Sequence, residues 1–196
     1  KIGNLRKINI WANFSYGLGP LAVPDSPAPE GVHYERWLGP APDRPFNKNR
    51  FHGSWRHFWD YGSGMASDWG VHLMDIALWA NDDMSAPERT LVYAGNTYEG
   101  RERARETFDS MNITFPKKDH VINFDVTAGP QRGPWDMLYG IAFVGDDATL
   151  VADRSKLVVY PEYDNQSKSF RAEDFTMEGG KESHNEHVRN FLDCVK

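Results

Sequence analysis

Between Arg89 and Tyr160 the chain reads as six short strand-like runs parted by turn signals, and this pattern narrows the fold more than anything else in it. The runs are Arg89 to Tyr98, Met111 to Phe115, Val121 to Thr127, Met137 to Val144, Thr149 to Ala152 and Leu157 to Tyr160. Val121 to Thr127 alternates cleanly, with Ile122, Phe124 and Val126 on one side, as an antiparallel strand with one wet face does. Gly145-Asp146-Asp147 and Asp153-Arg154-Ser155 supply tight turns, so the second half reads as a meander. Met137 to Val144 is apolar on both faces, which predicts a central strand or one covered by a partner.

The first half frames this sheet. Leu5 to Phe14 alternates as a strand, with Ile8, Ile10 and Ala12 on one face. Leu21 to Asp43 holds Pro24, Pro27, Pro29, Pro40 and Pro42 and predicts an ordered surface loop with a turn of helix near Tyr34 to Leu38. Phe46 to Tyr61 is irregular and aromatic, and Gly62 and Gly64 release the chain into a helix over Met65 to Asn81. Trp69, Leu73, Ile76 and Ala80 form one apolar stripe there, and Val71, Met74 and Leu78 a second, so burial on most sides is expected. Gly70 in the interior costs about 1 kcal/mol relative to Ala and suggests close approach by backbone or ligand. After Gly179-Gly180, Ser183 and Glu186 match a capping box for a last helix with the stripe Val188, Phe191, Leu192 and Val195, beside which Cys194 is expected to pack. The sum is an α+β domain: a large, mostly antiparallel sheet with helices on one face.

At 196 residues the chain can bury one sizeable core as a single domain. A net charge of -6 argues against nucleic acid or an anionic membrane surface as partner. No apolar run reaches the roughly 18 residues of a membrane span. Cys194 is the single cysteine, so no internal disulfide forms, which fits a cytoplasmic or a periplasmic setting. The chain opens on Lys1 close to a strand and closes on Lys196 inside a helix pattern, which reads as a piece of a longer polypeptide.

The sharpest chemical feature is Asp68-x-x-x-His72, with Asp75 three residues on. On a helix these spacings put all three side chains on one face. An imidazole beside a carboxylate can take a proton from a hydroxyl while the carboxylate orients it. The same pair can also be a purely structural hydrogen bond. A metal site is a third reading, but no H-E-x-x-H or histidine cluster supports it. Asp75 reads as a supporting or surface residue. Trp55, Arg56 and Tyr61, with His57 and Trp59, can line a sugar site, aromatic faces meeting C–H groups and Arg56 meeting hydroxyl oxygens. They can equally be an aromatic minicore. His33, His52, His120, His184 and His187 lack a partner pattern and are expected at the surface. No G-x-G-x-x-G after a strand, no G-x-x-x-x-G-K-[ST] and no G-x-S-x-G is present.

Trp37-Leu38-Gly39-Pro40-Ala41-Pro42, Arg44-Pro45-Phe46-Asn47, Asn49-Arg50-Phe51-His52, Asp60-Tyr61-Gly62-Ser63-Gly64 and Ser67 through Asp75 together resemble the glucose-fructose oxidoreductase / inositol dehydrogenase / MocA family in its C-terminal α/β domain. Glu186 to Cys194 is similar to that family's late helix. The resemblance implies a glyceraldehyde-3-phosphate dehydrogenase-like C-terminal fold, following a separate Rossmann domain that this chain does not contain. It implies an NAD(P)-dependent oxidoreductase acting on a ring hydroxyl of a sugar, sugar derivative or cyclitol, with Asp68 and His72 as the family's D-x-x-x-H pair and Trp55, Arg56, Tyr61 and Asp75 about the substrate. NAD or NADP would belong to the whole protein, with none bound by this piece alone. The family's E-K-P lysine has no match here. A homo-oligomer through the sheet face is implied. Two alternatives stay open: a non-catalytic carbohydrate-binding or assembly module, and a domain of an NAD-dependent glycoside hydrolase.

Overall fold

The computed structural model describes residues 1–98, 102–179 and 184–195. Its frame is an eight-stranded sheet. In chain order the strands are β1 (Leu5–Ala12), β2 (Leu91–Gly95), β3 (Ser110–Pro116), β4 (Val121–Thr127), β5 (Tyr139–Gly145), β6 (Ala148–Ala152), β7 (Lys156–Pro161) and β10 (Phe175–Glu178), and across the sheet they lie β10-β7-β6-β5-β1-β4-β3-β2. β8 (Tyr163–Asp164) and β9 (Ser169–Phe170) form a separate small hairpin. Every neighbouring pair in the large sheet is antiparallel except β1 and β4, which run parallel in the register Ile8↔Ile122, Ile10↔Phe124 and Ala12↔Val126. The α+β reading therefore holds, with one parallel pair where the chain returns to β1 after a long excursion.

The period-2 alternation decides which face is buried. Ile8, Ile10 and Ala12 of β1, Ile122, Phe124 and Val126 of β4, and Ile141 and Phe143 of β5 join Met111 in one buried cluster. The helices α2 (Met65–Asp68) and α3 (Gly70–Asn81) cover that cluster, contributing Met65, Leu73 and Ala77. The helix expected over Met65 to Asn81 thus breaks in two at Trp69 (φ −106°, ψ −27°). Nor is it buried on most sides: Val71 and Trp79 are 64% and 78% exposed, because only the Gly70–Leu73–Ala77 face meets the sheet. The close approach expected at Gly70 is made by a side chain of the sheet. A Cβ there would lie 3.1 Å from the Phe124 ring.

The other face of β5 is covered from within the chain. Trp11, Met137, Ala142 and Val151 form a second buried cluster, Trp135 lies 5.3 Å from Trp11 ring to ring, and the Trp11 indole donates to the Met137 carbonyl at 2.9 Å. The segment just before β5 supplies Met137 and Trp135 to this cover, so the apolar strand is buried on this side too. That loop contains α1 (Tyr34–Leu38), as expected, and is tied by Asn47 and Asn49 to Val23 and by Arg50 to Asp25 at 2.9 Å. Among the histidines expected outside, His120 is 5% exposed, its Nδ1 2.8 Å from Asp119 and its Nε2 3.2 Å from the Asn81 amide. α4 (His184–Val195) has no buried residue: Phe191 and Val195 are exposed and so is Cys194, against the packing expected of that stripe. Ser183 and Gly180 of the expected cap lie outside the described residues. No helix of the described residues is long and apolar enough to cross a membrane.

Candidate functional site

One end of the sheet collects the chemistry. The chain leaves β1 through Phe14 and a 3-10 turn at Ser15–Leu18, while Tyr139 opens β5 beside it, and the α2–α3 joint sits above both. Trp69, at that joint, stacks on Phe14 with ring centroids 4.4 Å apart and leans on Tyr139 at 4.6 Å. The wide apolar faces of these rings explain why a partly exposed tryptophan holds a fixed place.

Asp68 is held by groups that the spacing argument did not include. The Tyr16 hydroxyl donates to its Oδ2 at 3.0 Å, and Arg56 Nε lies 3.0 Å from Oδ1 as an ion pair whose N–H is not aligned for a hydrogen bond. The Trp69 indole donates in turn to the Tyr16 oxygen. Among the described residues no hydrogen bond joins Asp68 to His72. His72 is exposed on the next turn, its ring edge-on to Trp69 at 5.9 Å. Burial, with Asp68's acceptance of its proton adding, pushes the Tyr16 phenol up to about 12, so it stays a donor at neutral pH.

Behind Tyr16 lies His57, 3% exposed, its ring 6.4 Å from Tyr16. Its buried Nδ1 has no hydrogen-bond partner among the described residues. Burial and the charges of Arg56 and Arg105 push it down to about 4, so it is neutral at pH 7.

The other expected residues divide. Arg56 stacks over Trp55 at 5.1 Å while pairing with Asp68, so it joins two neighbourhoods. Tyr61 sits 5.1 Å from Trp37 in an aromatic cluster with Tyr34, Phe46 and Phe51, and Trp55 and Tyr61 line a shallow groove of about 340 Å³ with Trp37 and Asp60. Asp75 is exposed one turn beyond His72. Among the described residues no three His, Cys, Asp or Glu side chains gather as metal ligands would. Tyr16, Trp69 as a platform, and Arg154 are the site neighbours that sequence reasoning missed. Tyr16 did have a signal, an aromatic residue at the carboxyl end of a strand just before a Gly-Leu-Gly-Pro turn, where functional loops gather.

The family described as "Oxidoreductase family, C-terminal alpha/beta domain" matches residues 9–172. The chain belongs to this family. It is the glucose-fructose oxidoreductase / inositol dehydrogenase / MocA group that the motifs resembled, and the D-x-x-x-H segment lies inside the matched span. Among solved structures, an oxidoreductase from Thermotoga maritima is 15% identical, with TM-score 0.53, over 99% of this chain and 44% of that one. Levoglucosan dehydrogenase, solved with NADH and levoglucosan, is 15% identical with TM-score 0.53, over 91% of this chain and 41% of that one. A super-repressor mutant of Gal80p from Saccharomyces cerevisiae is 14% identical with TM-score 0.52, over 97% of this chain and 43% of that one. Likeness at this identity carries the fold. The chain spans less than half the length of these structures. A comparison with curated protein sequences finds no match.

Proposed function

We propose that this domain forms the substrate side of an NAD(P)-dependent dehydrogenase that oxidises a ring hydroxyl of a sugar, sugar derivative or cyclitol. The observation that carries the reading is the exposed His72 imidazole set across Trp69 in a T-shaped contact at 5.9 Å, one turn from a carboxylate fixed by Tyr16 and Arg56. A sugar ring resting its C–H face near Trp69 brings a hydroxyl to His72, which takes the proton as general base. Asp68, one turn before His72 and held by Tyr16 and Arg56, makes no hydrogen bond to the ring among the described residues. Arg56, with Trp55 and Tyr61 beyond it, shapes one flank of the substrate region, and Asp75, exposed one turn beyond His72, meets the substrate as well.

The described residues do not fit a dinucleotide. Gly64, before α2, is closed off by Thr107, 2.5 Å from where a Cβ would stand, so no phosphate-binding loop opens there. NAD or NADP, which would accept the hydride, is assigned to no residue of this chain and would be held by a second domain. A homo-oligomer through the sheet face completes the proposal.

A second reading has its own observation. Asp68 bonds to Tyr16 rather than to His72, as a structural carboxylate in a non-catalytic carbohydrate-binding or assembly module would. Turnover decides between them. The intact protein is assayed with NAD and NADP against a panel of sugars and cyclitols, and His72→Ala is expected to lower kcat by roughly 10²–10⁴-fold with cooperative folding retained. Near-wild-type turnover in that variant removes His72 from the chemistry. Sugar binding without turnover of any hydroxyl substrate establishes the module instead.

A further inference from the structure

We propose that Arg154 selects an anionic substrate, one carrying a carboxylate or phosphate on the ring or its side chain. The inference rests on the placement of the substrate beside Trp69 and His72 argued above. Arg154 occupies the turn between β6 and β7, and the antiparallel register Ile141↔Ala152 brings that turn to the end of the sheet where β5 begins. Its guanidinium lies 5.3 Å from the Trp69 ring and 6.0 Å from the Tyr139 ring. Trp69 is the same ring that makes a T-shaped contact with His72 and bonds Tyr16 through its indole.

The charge there is uncommitted. Arg154 is exposed, and among the described residues it has no ion pair and no hydrogen bond. The neighbouring arginines are committed: Arg56 is paired with Asp68, and Arg105 with Asp109. Its own neighbour Asp153 is turned into the Ser155 and Lys156 backbone N–H groups at 2.7 and 2.9 Å, so it does not neutralise Arg154. Two aromatic rings hold the guanidinium beside them by cation–π attraction, and among the described residues none of its N–H groups is paired. Its planar fork matches a carboxylate or phosphate through two parallel hydrogen bonds, which a neutral hydroxyl cannot reproduce. A ring seated at His72 would present such a substituent to Arg154 across the Trp69 face. The ring hydroxyl is read where His72 meets the indole and the acid where Arg154 lies over it.

Calorimetric titration of the intact protein with matched pairs tests this: D-glucuronate against D-glucose, and inositol monophosphate against inositol. The anionic member of at least one pair is expected to bind about tenfold or more tightly, as a charge-assisted bidentate contact gives. Arg154→Gln should remove that preference while leaving the neutral member's affinity unchanged, Arg154→Lys should keep part of it, and added salt should narrow it. A structural role for Arg154 would weaken both members alike. Equal binding of both members, binding of neither, or a preference that survives Arg154→Gln overturns the assignment. Turnover of neutral sugars that depends on His72 and ignores Arg154 would leave the dehydrogenase reading standing and remove only this one.

Discussion

His57 is neutral because its surroundings leave it no other choice. It is 3% exposed, its Nδ1 has no partner among the described residues, and burial, with the Arg56 and Arg105 charges, pushes it from 6.5 down to about 4 against the opposing pull of Asp68. Protonating it in place would set a third positive charge among two arginines, directly behind the tyrosine that holds Asp68. The unfolded chain takes up that proton from about pH 6.5 downward, whereas the native protein resists until about pH 4. Between those values the unfolded state binds more protons, so stability falls as pH falls. The contribution is fully present above pH 6.5 and lost progressively toward pH 4, up to about 3 kcal/mol at roughly 1.4 kcal/mol per unit. Urea midpoints at pH 7 and pH 4.5 should therefore separate more in the wild type than in His57→Gln, whose amide does not titrate there. Equal separations in both proteins would show that His57 carries no such load.

At the scale of elements, the joint into α2 shows how a site can be set by one backbone conformation. Gly64 holds φ +62°, a region costly for any side chain, and a Cβ there would lie 2.5 Å from Thr107 Oγ1. Thr107 is itself buried and anchored through its N–H to the His57 carbonyl. Gly64→Ala should destabilise the protein by about 2–4 kcal/mol from strain and overpacking together, and Thr107→Ala in the same chain should recover only part, because the backbone strain remains. Chemical denaturation of the three variants measures this; a single-variant shift under about 0.5 kcal/mol would refute it. Strands β3 to β7 were legible because alternation and turn residues are local signals. β8 and β9 were not, being two residues each, and β10 was passed over because Phe175 and Met177 alternate for only four residues beyond an acidic stretch. The parallel pairing of β1 with β4 is a long-range choice that no local pattern encodes. In α3 the apolar residues run around the helix, so periodicity does not say which face docks, and Val71 and Ile76, expected inside, are exposed. The site was half legible for the same reason. Asp68 and His72 share one helical face by spacing, but Tyr16, which takes up Asp68, and Arg154, which covers Trp69, arrive from distant segments.

For the whole molecule, the face of the sheet away from the helices is the surface with most to explain. The doubly apolar β5 is a central strand, as its sequence allows, and Trp11, Met137, Ala142 and Val151 close over this side of it within the chain. What remains open is polar and ordered. Asn123 donates to Asn9 at 3.3 Å and accepts from Thr114 at 2.9 Å, and Asn112 donates to Asp125 at 3.3 Å, so adjacent strands are cross-linked by side chains on that face. Toward its two sides stand Tyr93, 68% exposed, paired with Asn112, and Tyr160, 42% exposed, paired with Thr149. Exchangeable interfaces are about as apolar as ordinary surface, and tyrosine is enriched at their centres. An amide ladder between tyrosines suits such a contact better than it suits an obligate, core-like one. Two copies meeting face to face across a two-fold axis would use the same residues twice. We therefore expect a reversible dimer of the intact protein, concentration-dependent in sedimentation equilibrium at micromolar levels. Tyr93→Glu, on an edge strand and away from the Asp68 site, should shift it to monomer with turnover of each chain unchanged. A monomer at every concentration, or a dimer indifferent to Tyr93→Glu, would mean that this face is simply a solvated one.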